Sequence, residues 1–243
     1  MDKWHHFIES SKKYYEQFNG TYFLEDAGGN LFINDHINTN IAILHGNDMD
    51  AKINFIQSKC KHNTIIFNLN EDEHVMQNLS KNNLLKKIGS FPYLYAKTER
   101  TIYPIQYYDN LYIERIQSNK YSINAYLDLF FQSKNVEYND NIITKNIFRN
   151  DFFNYICYYD DVPAGIFAAV SHEDCAMIMN AYVLPQFRDL GIISLLSKRA
   201  RHDASSNEIY EYCTIALSEY SLKTLLSHKL NIDFMCEVWI RNE

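Results

Sequence analysis

The stretch VLPQFRDLGIISLLSKRA, residues 183–200, holds the residue types and spacing best suited to chemistry. Pro185 lacks a backbone donor and closes the apolar run before it. Ile192, Leu195, Leu196 and Ala200 then recur at the i, i+3, i+4, i+8 spacing of one helical face, which predicts a helix from about Leu190. The first turn of a helix carries N–H groups with no intrahelical partner, and the aligned peptide dipoles place partial positive charge there. An anion such as a phosphate is favoured at that position. Gly191 would let it reach the backbone, and Arg188, just outside, could add charge-assisted donors. The chain has only seven glycines, and glycine costs ~1 kcal/mol against alanine inside a helix, so one kept in a first turn calls for a reason. Two reasons are open from the residues alone: backbone approach to an anion, or close packing of the helix on a sheet.

Other chemistries find less support. A serine hydrolase would want a G-x-S-x-G elbow, and neither that, a P-loop nor a dinucleotide glycine fingerprint occurs. His5, His6, His36, His45, His62 and His74 lack helical or hairpin metal spacing, and His172-Glu173-Asp174-Cys175 reads as polar turn chemistry, so no metal site is expected. Cys60, Cys157, Cys175, Cys213 and Cys236 are widely separated and form no CxxC pair; small buried hydrophobes are the expectation.

The elements that must position the corner at 183–191 follow from periodicity. Residues 176–184 are apolar on both faces, hence a strand buried on both sides and central in a sheet. Before them, 152–160 and 165–172 form a hairpin about the DDVPAG turn, preceded by a strand at 111–117 and a helix at 124–135. The first part alternates as well: an amphipathic opening helix, a Gly-rich turn at EDAGGN, a strand at 39–46, a helix at 49–60 and a strand at 63–70. A helix over 71–89, stopped by Gly89, then leads into the extended FPYLYAKTE. Alternating strands and helices indicate a mixed α/β fold. The aromatic segment 103–110 is the candidate junction, giving parts 1–108 and 109–243.

Composition bounds the partners. With 47% hydrophobic and 22% charged residues the chain is globular. A net charge of −7 argues against nucleic acid, which needs surplus Lys and Arg on one face. Mild acidity instead tolerates cationic partners such as amines. No apolar run is long enough for a membrane span and the start is not a secretory signal, so a cytoplasmic location without membrane association is expected.

Residues 111–243 resemble the GCN5-related N-acetyltransferases in the order of their elements. Arg188-Asp189-Leu190-Gly191-Ile192-Ile193 resembles the family turn Q/R-x-x-G-x-G/A up to its last position, and Ala181-Tyr182-Val183-Leu184-Pro185 looks like its strand ending in V-x-P. The segment EYCTIALSEYSLKTLLSHKLNIDFMCEVWI resembles the family's last strand, helix and strand. Residues 1–108 look like the reduced N-terminal domain of two-domain members. The resemblance implies a GCN5-related acyltransferase fold at the C-terminus preceded by a smaller, partial one. That smaller part is expected to pack, shape the acceptor side or dimerise without binding coenzyme A.

The implied activity is transfer of an acetyl group from acetyl-coenzyme A, as co-substrate, to a primary amine on a small molecule or peptide. The implied binding residues are Arg188, Asp189, Leu190, Gly191, Ile192, Ile193 and Ser194 for the pyrophosphate, with the edge of Tyr182, Val183 and Leu184 for the pantetheine arm. A backbone N–H near Tyr182–Val183 would polarise the thioester, with Asn180 and Tyr182 near the acceptor. Glu219 or Glu173 could serve as base. Two departures matter. Ile193 stands where the family usually has Gly or Ala, and the stretch Thr224-Leu225-Leu226-Ser227-His228 lacks the family tyrosine that protonates the leaving thiolate. Tyr220, His228 or water would take that role. The departures leave a second reading, a catalytically silent acyl-coenzyme A binder for sensing or assembly.

Overall fold

The computed structural model describes residues 3–37, 39–45, 48–61, 63–68, 80–81, 85–98, 110–117, 119–137 and 149–242. The amphipathic start is helix α1 (Lys3–Glu16), and EDAGGN makes the turn between β1 (Tyr22–Asp26) and β2 (Gly29–Asn34). Then come β3 (Thr39–Leu44), α2 (Met49–Lys59), β4 (Ile65–Asn68) and β5 (Leu85–Lys97). The second stretch runs β6 (Leu111–Arg115), α3 (Lys120–Lys134), β7 (Phe152–Tyr159), β8 (Val162–His172) and β9 (Cys175–Val183). It ends with α4 (Ile192–Ser205), β10 (Glu211–Ile215), α5 (Glu219–Ser227) and β11 (Asn231–Arg241).

These strands form one mixed sheet of 11 strands in the order β1-β2-β3-β4-β11-β5-β10-β9-β8-β7-β6. Two neighbouring pairs are parallel, β3 with β4 and β9 with β10, each joined through a crossover helix, α2 and α4 respectively. The same strand-helix-strand unit thus occurs in both stretches. The stretches also trade strands: β11 lies between β4 and β5, and β5 between β11 and β10.

One element departs from expectation. Leu85–Gly89, expected as the end of a helix stopped by Gly89, opens strand β5; residues 71–79 and 82–84 lie outside the described residues. The helix formers in LKKI are a weak prior, and the ladder to β11, with Leu85 opposite Arg241 and Lys86 opposite Ile240, prevails over them.

Alternation along β7 shows how the sheet is covered. Phe152, Ile156 and Tyr158 join a cluster with residues of α1 and α3, whereas Phe153, Tyr155 and Cys157 join one with Ile192, Leu196, Ala200 and Ala204 of α4. The first cluster also holds Phe32, Phe67 and Tyr93, and Phe18 stacks on Phe130 with ring centroids 5.1 Å apart, so a continuous core joins both stretches. All five cysteines are buried, as their sequence settings suggested. Among the described residues no helix is long and apolar enough to cross a membrane.

Candidate functional site

The corner after β9 is built by backbone conformation. Pro185–Phe187 form a single 3-10 turn, in which Phe187 donates to Leu184 O (2.9 Å) and Arg188 to Pro185 O (3.3 Å). Asp189 (φ 66°) and Gly191 (φ 73°) are then both left-handed, and α4 begins at Ile192. Its first intrahelical bond runs from Leu195 N to Gly191 O at 3.1 Å, leaving the N–H groups of Ile192, Ile193 and Ser194 without an intrahelical partner. Gly191, the N-cap, offers no side chain to cap them. A Cβ at Gly191 would meet none of the described residues within 4 Å. Close packing on the sheet therefore does not account for this glycine, and a left-handed φ in open space does.

Next to the corner the sheet forks. β9 and β10 pair only over Cys175–Met177 and Glu211–Cys213, after which Thr214 Oγ1 donates to Ile178 O (2.9 Å) and Ile215 faces Tyr93 of β5. β9 continues along β8 as far as Val183 opposite Gly165, with a bulge at Met179. Leu184 N donates to Ala164 O on the β8 side at 3.0 Å. Antiparallel alternation therefore turns the backbone groups of Val183 and Ala181 toward the open side of the fork and keeps those of Tyr182 in the ladder. Arg188 Nε reaches Val183 O on that open side at 3.4 Å. Losing its neighbour also leaves the second half of β9 partly exposed, although the strand was expected to be buried on both faces.

The fork is walled by α5, whose N-terminus is closed by a capping box between Ser218 and Ser221. Tyr220, Thr224 and His228, four residues apart along one face, line a cleft against Val183, Arg188 and the first turn of α4. The cleft continues inward between α4 and β9, where Phe167, Ile178, Ala181, Ile193, Ser197 and Leu225 make an apolar chamber that Tyr220, Thr224 and His228 also border. Burial, reinforced by the charges of Arg201 and Lys198, pushes the His228 imidazole down to about 4, so it is neutral near pH 7.

Of the residues expected from sequence, Val183, Arg188, Asp189, Gly191, Ile192, Ile193, Ser194 and Tyr220 line the cleft. Tyr182, Leu184 and Leu190 do not: Leu184 is tied to Ala164, and Leu190 is turned to solvent at 44% exposure. The Glu219 side chain is 80% exposed and pairs with Lys223 at 2.7 Å, so the fold does not bring it to the cleft. Glu173 sits in the β8–β9 turn, at the far end of β9, ~26 Å of strand away from the corner. Asn180 faces α3, where its amide donates to Ser133 Oγ at 3.3 Å. Sequence reasoning missed the contribution of Thr224 and Ser227 to the cleft, although their spacing from Tyr220 marks one face of a helix.

The parallel pair in the first stretch is built differently. β3 and β4 stay paired through Leu44 and Asn68, and the Asp48 side chain caps α2 by accepting from Ala51 N at 3.1 Å. A carboxylate thus holds the place that is open at α4.

The overall fold is shared with known structures. A GCN5-related N-acetyltransferase from Kribbella flavida matches with a TM-score of 0.62 at 10% identity, over 97% of this chain and 94% of that one. The fold is that of the GCN5-related N-acetyltransferases. A GCN5-related N-acetyltransferase-like protein from Streptococcus suis 89/1591 gives 0.59 at 13% identity, over 91% and 88% of the two chains. A tandem protein of this fold from the clavulanic acid biosynthesis pathway gives 0.56 at 9% identity, over 87% and 77%. No protein-family model and no curated protein sequence matches the chain.

Proposed function

We propose that this protein is an N-acetyltransferase that moves an acetyl group from acetyl-coenzyme A to a primary amine. The observation that carries the reading is the conjunction at one cleft of the fork after Met177 and the three free N–H groups of Ile192, Ile193 and Ser194. Those N–H groups, with Arg188, would hold the pyrophosphate, and the open space at Gly191 lets it approach. Val183 and Ala181 present backbone groups along which the amide-bearing arm can lie as an added strand. The outward N–H of Ala181, a residue that borders the apolar chamber, would polarise a thioester carbonyl there.

In the transfer the amine lone pair forms the C–N bond, the C–S bond breaks, and sulfur leaves with its electron pair as coenzyme A thiolate. The nitrogen gives up one proton and the sulfur takes one. Tyr220 is the group we assign to protonate sulfur, because its side chain borders both parts of the cleft. His228 is a poor candidate, since a side chain held near 4 carries little imidazolium at neutral pH. Glu219 has no direct part in this scheme, and the amine proton leaves to water. The division into a partial domain at 1–108 and a catalytic one at 109–243 belongs to the same proposal, with the capped start of α2 supporting a non-binding first part.

One feature favours the second reading, an acyl-coenzyme A binder without turnover. Asp189 is the one carboxylate among the described cleft-lining residues, and it lies at the phosphate end. Thermal melting with and without acetyl-coenzyme A, followed by thiol release over a panel of amines, separates the two. Stabilisation with turnover supports the transferase, stabilisation without turnover on any amine supports the binder, and no stabilisation removes both.

A further inference from the structure

At the opposite end of β9 from the cleft, α1 lays two histidines against the β8–β9 turn. His6 is buried at 5% exposure, and its ring lies edge-on to that of His172 with centroids 5.7 Å apart; the exposed His5 approaches His172 the same way at 5.2 Å. One ligand atom each from His6, His172 and Glu173 falls within 4.8 Å of the others. His172 Nε2 is buried without a hydrogen-bond partner among the described residues, which is costly for an imidazole unless something accepts or ligates it. Asp174 Oδ1 lies 3.9 Å from His6 Nε2. The nearby Lys13 cation is engaged elsewhere, donating to Ser171 O at 2.9 Å and facing Asp151 at 3.4 Å.

We propose that His6, His172 and Glu173 form a binding site for a divalent first-row transition ion, taken to be zinc for the test. Two imidazoles and a carboxylate are a donor set such ions accept, at ligand bonds of about 2.0–2.2 Å. Closing the present separations to that geometry takes a shift of about 1 Å, which rotamer changes of His172 and Glu173 at the turn can supply. The remaining positions fall to water, His5 or Asp174. The ion would clamp α1 of the first stretch to the β8–β9 turn of the second, making it structural and independent of the acyl-transfer cleft. Sequence spacing could not reveal the site, because its ligands come from the two ends of a long separation that the fold alone closes.

The test uses the full chain without an affinity tag, stripped with chelator and titrated with Zn²⁺ by calorimetry and with Co²⁺ by absorption, alongside thermal melts. The expectation is one ion per chain, a rise in melting temperature with Zn²⁺, and Co²⁺ d–d bands, with affinity falling at least ~10-fold in His172→Gln and in Glu173→Gln. Glu173 is exposed, so its variant keeps the test valid if His172→Gln fails to fold. Absence of saturable binding, or binding unchanged in Glu173→Gln, overturns the proposal.

Discussion

Thr214 Oγ1 donates to the carbonyl of Ile178 at 2.9 Å, directly after the last paired residues of β9 and β10. A side chain here takes over from the ladder and closes the base of the fork. Thr214→Val keeps the shape and deletes the donor, leaving a carbonyl short of a partner in a part-buried place. The expected cost is about 1–3 kcal/mol of unfolding free energy, read from the denaturant midpoint.

Gly191 separates fold from binding. With φ at 73° and open space where a methyl group would sit, Gly191→Ala is expected to cost about 1–2 kcal/mol through backbone strain alone. Gly191→Glu should fold to a similar degree, since a carboxylate is tolerated at a helix start, yet lose the stabilisation given by acetyl-coenzyme A. Melting curves of both variants with and without the ligand check this.

Tyr220 and Glu219 are adjacent in sequence and both exposed, but only Tyr220 lines the cleft. Tyr220→Phe is expected to lower kcat by ~10²-fold or more with little change in acetyl-coenzyme A affinity, as loss of a general acid does. Glu219→Gln removes an exposed pair with Lys223 and should change stability by less than ~0.5 kcal/mol and leave turnover near that of the parent. Steady-state kinetics on the pair of variants would reverse the assignment if Glu219→Gln were the slow one.

His228 gives a pH dependence of defined sign. Its ordinary value is 6.5 and the folded protein holds it at about 4, so below 6.5 the unfolded chain binds a proton that the native state refuses. This contribution to stability is complete above pH 6.5 and is lost progressively as pH falls toward 4. His228→Asn should flatten the stability profile across that window, measured by denaturation at a series of pH values.

Local chemistry was legible in the sequence and long-range pairing was not. Pro185, Gly191 and the spacing of Ile192, Leu195, Leu196 and Ala200 act within one corner, so the residues themselves announce the start of α4. The polar face Tyr220, Thr224, Ser227 was there to be read in the same way. The fork is different, because β10 leaves β9 only by pairing with Tyr93, on a strand far away in the chain. The same non-local ladder turned Leu85–Gly89 into a strand against its helical composition. Likewise Leu184 looked available as an edge residue until Ala164 was seen to occupy its N–H.

The trade of β5 and β11 imposes an order on assembly. β4 and β5 have no shared neighbour until residues 231–241 have been synthesised, and β10 stays bare on one side until β5 is seated. During translation those open rims are templates for misplaced strands, so a cell making this protein in quantity must shield them or keep few nascent chains at a time.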